Sequence, residues 1–197
     1  EQVHAPAELL AAAVHGLASP TMTALMRGAS RFGSPAILAP IGVVIAVIFY
    51  RRDWKRAAVL LPLIMLGAGL LDGLLKISFH RARPVPFFDY PLPGSYSFPS
   101  GHAMASTYAY GAIVLTFLPL LPRRWRPVAI GTWLTWIVVV ACARLGLGVH
   151  YLSDVIGGFV LGLAWLAAAT AAFSIWRVEE GKPAVDVEEG LEPEAAA

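Results

Sequence analysis

Apolar residues run through this chain in blocks too long and too unbroken for the amphipathic helices of a water-soluble domain. Phe32–Tyr50 carries no charge, Ala57–Leu75 is interrupted only by Asp72, and Ala103–Pro122 and Val155–Trp176 are again uncharged. Pro127–Ala143 is a shorter block of the same kind. About 20 apolar residues carry a helix across the hydrocarbon core of a bilayer, so the pattern predicts five spans. Five core helices of a soluble protein would need polar sequence to cover them, and too little remains. The connections supply an independent check. Arg51–Arg56 and Pro122–Pro127 are basic, fall on one side if all five blocks span, and share it with the exit of the last block at Arg177. The positive-inside rule makes that side cytoplasmic. The N-terminal stretch, the long connection 76–101 and the short one 144–150 then lie on the opposite face.

The chain ends read differently. Residues 1–31 lack the basic start and continuous apolar run of a signal peptide and predict two short helices. Pro6 opens the first, which runs to about His15 and stops at Gly16. Ser19-Pro20, an N-cap followed by proline at the first helical position, opens the second. Met22, Leu25 and Met26 give it an apolar stripe, so these are expected to be interfacial amphipathic helices on the outer leaflet. Residues 32–176 form the transmembrane domain. Residues 177–197, rich in Glu, Pro and Ala, are expected to be a disordered acidic cytoplasmic tail. The fold class is therefore an all-α integral membrane protein, a bundle of about five transmembrane helices with N-terminal interfacial helices.

Composition agrees. Of 197 residues, 57% are hydrophobic and 14% charged, where soluble domains carry about 25% charged residues; mean hydropathy is +0.65. A single cysteine, Cys142, excludes a disulfide framework or a zinc site on paired cysteines. The formal net charge of +2 conceals an asymmetry: seven of the thirteen acidic residues lie between Glu179 and Glu194, which leaves the preceding 178 residues strongly basic.

Away from the basic connections and the tail, ionisable groups are few, and they cluster on the outer face. Lys76, His80, Arg81, Arg83 and Asp89 lie in or beside the long connection, His102 heads the third span, and Arg144, His150 and Asp154 bracket the short one. Charge near membrane depth is costly and tends to be kept for function. Lys76 and the forked guanidiniums of Arg83 and Arg144 suit phosphate oxygens. In Pro99-Ser100-Gly101-His102, Ser100 is placed to cap the helix that follows, and Gly101 lets backbone N–H groups approach an anion at its N-terminus. His150 and Asp154, four apart, share a helical face, so the carboxylate orients one ring nitrogen and leaves the other as nucleophile or base. His102 is a second imidazole, suited to protonate a leaving oxygen. Lysine and arginine around these imidazoles would repel a cation, so an anionic ligand is expected, with no metal and no other cofactor. Asp72, four residues before Lys76, is a candidate partner for it. Arg81 meets either a substrate headgroup or lipid phosphates. Phe87, Phe88, Tyr90, Tyr96 and Phe98 suit an interfacial aromatic belt or, alternatively, the lining of a lipid entry groove.

Lys76-(six residues)-Arg83-Pro84, Pro99-Ser100-Gly101-His102 and Arg144-(five residues)-His150-(three residues)-Asp154, in that order, resemble the three-part signature of the type-2 phosphatidic acid phosphatase superfamily. Ala143 stands where the third part usually has serine. The resemblance implies six spans, hence a helix upstream of Glu1, and a membrane lipid phosphatase; the loop charges put its site on the outer face, and with no organelle signal visible a bacterial inner membrane is the expected compartment. It implies that His150 attacks phosphorus to give a phosphohistidine, that Asp154 orients it, and that His102 protonates the leaving group. Lys76, Arg83, Arg144, Ser100 and Gly101 would hold the phosphate. The expected partners are a lipid phosphate or pyrophosphate substrate and membrane lipids, not nucleic acid. Polyprenyl pyrophosphate, phosphatidylglycerol phosphate and phosphatidic acid are the candidate substrates. Phosphotransfer to another acceptor, and phospholipid binding or transport without hydrolysis, are the competing functions.

Overall fold

A computed structural model describes residues 13, 16, 19–87 and 89–179. The helix expected from Pro6 to His15 and the tail beyond residue 179 lie outside the described residues. Within them, regular structure is helical throughout. Helix α1, Pro20–Phe32, starts as the sequence predicts: Pro20 occupies the first turn, and the Ser19 hydroxyl accepts from the Met22 amide at 3.1 Å. Its buried side differs from the predicted stripe. Met26 and Ser30 are buried, whereas Met22 and Leu25 are 43% and 63% exposed.

At Gly33-Ser34 the axis bends by 46° into α2, Pro35–Arg51. Seventeen residues of helix reach about 25 Å, short of the roughly 30 Å hydrocarbon core, and α2 has the length of a span only together with α1. The second N-terminal helix and the first predicted span are thus halves of one bent pair. Helices α3 (Lys55–Phe79), α4 (Gly101–Leu120) and α5 (Arg126–Gly146) are each long and apolar enough to cross a membrane unaided. So is α6 (Leu152–Glu179). Among the described residues four helices qualify alone, and a fifth span requires the bent pair.

Which side chains turn inward follows from helical periodicity. Leu63, Leu66, Leu70, Leu74 and Ile77 recur on one face of α3 and are 58–70% exposed, as a lipid-facing stripe requires. The other face, Ala58, Leu61, Ile64 and Ala68, packs against Met104, Ala105, Tyr108, Ala109 and Ala112 of α4, with Leu38 and Leu166. Successive helices alternate in direction, so the basic connections gather at one end, where Phe49 of α2 meets Trp54 and Phe117. The C-terminal ends of α3 and α5 and the N-terminal ends of α4 and α6 meet at the other.

One contact sets the geometry of that second end. A Cβ on Gly158 of α6 would lie 2.8 Å from the Ser100 carbonyl oxygen and 3.0 Å from the Ala103 Cβ, and one on Gly162 would lie 2.8 Å from the Thr107 Cβ. Small residues let two backbones touch where neither lipid nor water drives association. The Ser100 amide accordingly donates to the Asp154 carbonyl at 2.9 Å. Past the first turn, α4 widens into a π-helical turn, Ser106–Tyr110, a device frequent beside functional groups. Gly158→Ala forces this contact apart, at a cost of about 1–3 kcal/mol. It should lower the melting temperature in detergent, whereas Gly69→Ala, with nothing within 4 Å of the new methyl, should leave it unchanged or raise it slightly.

Candidate active site

Lipid-facing bundles bury few charges, so those that are buried mark the site. Lys76, His150, Arg144 and Asp154 are 8%, 4%, 1% and 0% exposed. They come from α3, the α5–α6 turn, α5 and α6, all at the end opposite the basic connections.

His150 owes its position to a turn that only glycine makes easily. Gly148 has φ +68°, and a Cβ there would press on the Phe87 ring at 2.8 Å. The chain then runs past Arg83 of the α3–α4 connection, whose Nη1 donates to the Val149 carbonyl at 2.9 Å and to His150 Nε2 at 3.1 Å. A guanidinium only donates, so Nε2 is the acceptor and the ring proton resides on Nδ1. Nδ1 faces Asp154 Oδ2 at 3.4 Å, beyond a good hydrogen bond. The remaining Arg83 donors are engaged: Nε with the Ser95 carbonyl at 2.7 Å, and Nη2 with the Ser95 hydroxyl and the Tyr96 carbonyl at 3.1 Å each. Burial holds the His150 imidazole down to a pKa of about 4; the Asp154 carboxylate opposes this, and the Arg144 and Arg83 guanidiniums reinforce it.

Asp154 accepts on both oxygens. Arg81 Nη1 reaches Oδ1 at 2.7 Å. The Ser97 hydroxyl donates to Oδ2, as does the Tyr151 amide at 2.9 Å. Arg81 Nη1 is thus engaged inside the protein, on a carboxylate its sequence position did not suggest. Its guanidinium also bonds the Ser153 hydroxyl at 2.7 Å and lies 4.5 Å from the centre of the Tyr151 ring.

Lys76 pairs with Asp72, as their spacing predicts, and donates to the Pro99 carbonyl at 3.0 Å. Gly101 sits directly over this pair: a Cβ there would be 3.1 Å from Asp72 Oδ2 and 3.2 Å from Lys76 Nζ. The Ser100 hydroxyl, fully buried, faces the Ala103 amide at 3.5 Å as a helix cap. His102, on the first turn of α4, lies within electrostatic reach of Arg144, His150, Arg83 and Lys76. All eight residues singled out in the sequence therefore gather at one end of the bundle. Asp72 neutralises Lys76 and Arg81 neutralises Asp154. Arg83 and Arg144 are left as the cations in the cluster that no carboxylate contacts among the described residues.

Arg144 is held by residues the sequence reading did not select. Its Nη1 donates to the Ser30 hydroxyl of α1 at 2.8 Å and approaches the Tyr90 hydroxyl at 3.4 Å, and the Tyr90 ring lies 5.8 Å from the guanidinium carbon. Its buried Nε has no partner among the described residues, which leaves one donor available to an anion. Ser30 carried one signal: it follows Met26 by four residues, a hydroxyl on the buried face of an amphipathic helix. Tyr90 and Phe98 are not a simple belt. Tyr90 reaches into the site, and Phe98 packs on Phe79 and over Gly157.

A family model described as the PAP2 superfamily matches residues 57–177. The chain is 36% identical over 150 residues to phosphatidylglycerophosphatase B of Bacillus subtilis (strain 168), covering 73% of this chain and 71% of that protein. It is 35% identical over 162 residues to decaprenylphosphoryl-5-phosphoribose phosphatase of Mycobacterium tuberculosis (strain ATCC 25618 / H37Rv), covering 73% and 76%. The fold is similar to the crystal structure of the first transmembrane PAP2 type phosphatidylglycerolphosphate phosphatase from Bacillus subtilis, with a TM-score of 0.80 and 28% identity over 87% of this chain and 86% of that one.

The Ser30 contact yields a direct test. Ser30→Ala leaves a buried guanidinium donor unpaired, at about 1–3 kcal/mol, and should weaken inhibition by inorganic phosphate by roughly tenfold. Met22→Ala, on the exposed side of the same helix, should not change it.

Proposed function

The chain belongs to the PAP2 superfamily and is a membrane lipid phosphatase, and on that premise we propose that it removes the terminal phosphate of a lipid phosphate or diphosphate through a phosphohistidine, without a metal ion. The observation that carries this reading is His150 Nε2. It is an unprotonated imidazole nitrogen fixed at 3.1 Å from Arg83, with its opposite nitrogen turned to a buried carboxylate. A general base or nucleophile must be neutral to act, and burial keeps this ring neutral well below pH 6.

A phosphoryl group presented to Nε2 draws the Arg83 Nη1–H onto one of its oxygens. The orphan Nε–H of Arg144 and the Lys76 ammonium take others. Nε2 attacks phosphorus while the bond to the lipid oxygen breaks, and His102 gives its proton to that oxygen. The positive charge formed on the His150 ring is balanced through Nδ1–H by Asp154. Water then attacks the same phosphorus, His102 takes its proton, and the N–P bond breaks to release inorganic phosphate. Cationic side chains do here the charge stabilisation that divalent metals supply in many phosphoryl-transfer enzymes. Ser100 orders the first turn of α4, whose amides and Gly101 face the anion.

The relatives' names tell of a phosphatidylglycerophosphate and of a prenyl-linked sugar phosphate, which share a phosphomonoester at a membrane surface. We infer the same chemical class for this protein. In our reading the site faces outward in a bacterial inner membrane, and the basic end lies in the cytoplasm.

Purified protein in detergent should release phosphate from phosphatidylglycerol phosphate, prenyl diphosphate or phosphatidate in the presence of EDTA. His150→Ala should reduce the rate by at least about 10³-fold. A labelled phosphoenzyme should be acid-labile and alkali-stable. Strict dependence on added divalent metal, or appearance of the label on a second lipid rather than in phosphate, overturns the proposal. The pH profile of kcat/KM is a separate check. Because the His150 ring is active when unprotonated and its pKa lies below the ordinary value, activity should persist through pH 5 and fall only as pH drops through about 4.

A further inference from the structure

Arg81 was left without a role by the reaction just described, yet its guanidinium bonds a fully buried carboxylate. We propose that Arg81 is a positioning residue for the nucleophile, acting through Asp154: it fixes the carboxylate that orients His150 and cancels part of its charge. The inference rests on His150 being the nucleophile, as argued above.

Geometry makes the case. Asp154 is fully buried and offers two oxygens. Oδ2 accepts from the Tyr151 amide and the Ser97 hydroxyl and faces His150 Nδ1 at 3.4 Å. Oδ1 is bound by Arg81 at 2.7 Å. A carboxylate pinned at both oxygens cannot rotate, so the oxygen facing the imidazole is always the same one. Arg81 is fixed in turn by the Ser153 hydroxyl at 2.7 Å and by the Tyr151 ring 4.5 Å away. Its carbonyl accepts from the Ser97 amide at 2.8 Å, so the residue orders two Asp154 ligands at once, its own guanidinium and the segment that carries the Ser97 hydroxyl.

The electrostatic consequence is specific. An unopposed buried carboxylate beside Nδ1 stabilises the imidazolium, and that is the form that cannot attack. Arg81 offsets this charge from the side of Asp154 away from the ring. The other charged and titratable groups around His150 and Asp154 are Lys76 and Asp72 on α3, Arg83 in the α3–α4 connection, His102 on α4 and Arg144 on α5. The first two neutralise each other, and Arg83 and Arg144 are the phosphate ligands. That leaves Arg81 as the cation whose loss changes Asp154 without changing phosphate binding.

Arg81→Ala should therefore lower kcat by about 10- to 100-fold with KM within about twofold of the native value, and move the acid limb of kcat/KM upward by about one pH unit. Arg81→Lys should restore most of the lost rate and return the acid limb toward its native position, because it keeps a cation at Oδ1. Native enzyme and His150→Ala run in the same assay separate the two claims: a metal-dependent native enzyme or an active His150→Ala overturns the phosphohistidine reading itself. With those controls in order, a rise in KM at unchanged kcat makes Arg81 a substrate ligand and overturns the inference. So does a fall in kcat that leaves the acid limb in place and is not rescued by lysine, which marks a structural role alone.

Discussion

A carboxylate shut away from water inside a helical bundle is the constraint from which the rest of this molecule follows. Desolvating an ion costs several kcal/mol unless charge and hydrogen bonds replace the lost water. Asp154, with no exposed surface, collects those replacements from Arg81 and Ser97 in the α3–α4 connection and from Tyr151 at the head of its own helix. Satisfying one anion thus ties a long irregular segment down onto the bundle, and that segment delivers Arg83 to the His150 ring. The Gly158 contact does the same for α4, holding Ser100 against the Asp154 carbonyl and so placing His102 above the same centre.

Positive charge is arranged in two layers. Each carboxylate in the cluster has its own cation, Asp72 with Lys76 and Asp154 with Arg81, so neither competes for Arg83 or Arg144. In the proposed reaction two guanidiniums free of carboxylates would match the charge of a phosphate dianion, and both are buried or fixed before any ligand arrives. Such preorganisation is where electrostatic stabilisation of a developing charge is obtained, because no reorientation is needed during the reaction.

Much of this was legible in the sequence, for a physical reason. Spans announce themselves by length and lack of charge, and charged residues near membrane depth have few places to go, so Lys76, Arg83, Arg144, His150 and Asp154 were conspicuous against an apolar background. The short-range pair Asp72–Lys76 was readable from helical spacing alone. What was hidden depends on contacts between segments far apart in the chain. Ser30 meets Arg144 across 114 positions, and one serine in an amphipathic helix carries little periodic signal. The partner of Arg81 lies 73 positions away, through a connection whose path is set by backbone hydrogen bonds no pattern encodes. The bend at Gly33-Ser34 joined two elements that composition separates, because α1 is amphipathic and α2 uniformly apolar.

All five N–H groups of Arg83 are occupied, four by acceptors that belong to the scaffold and one by His150 Nε2. The lone pair of that nitrogen is therefore capped before any ligand arrives. In the proposed reaction an oxyanion would draw off the fifth hydrogen, so the ligand itself would uncover the group that attacks it and the imidazole would stay shielded from chance electrophiles until then.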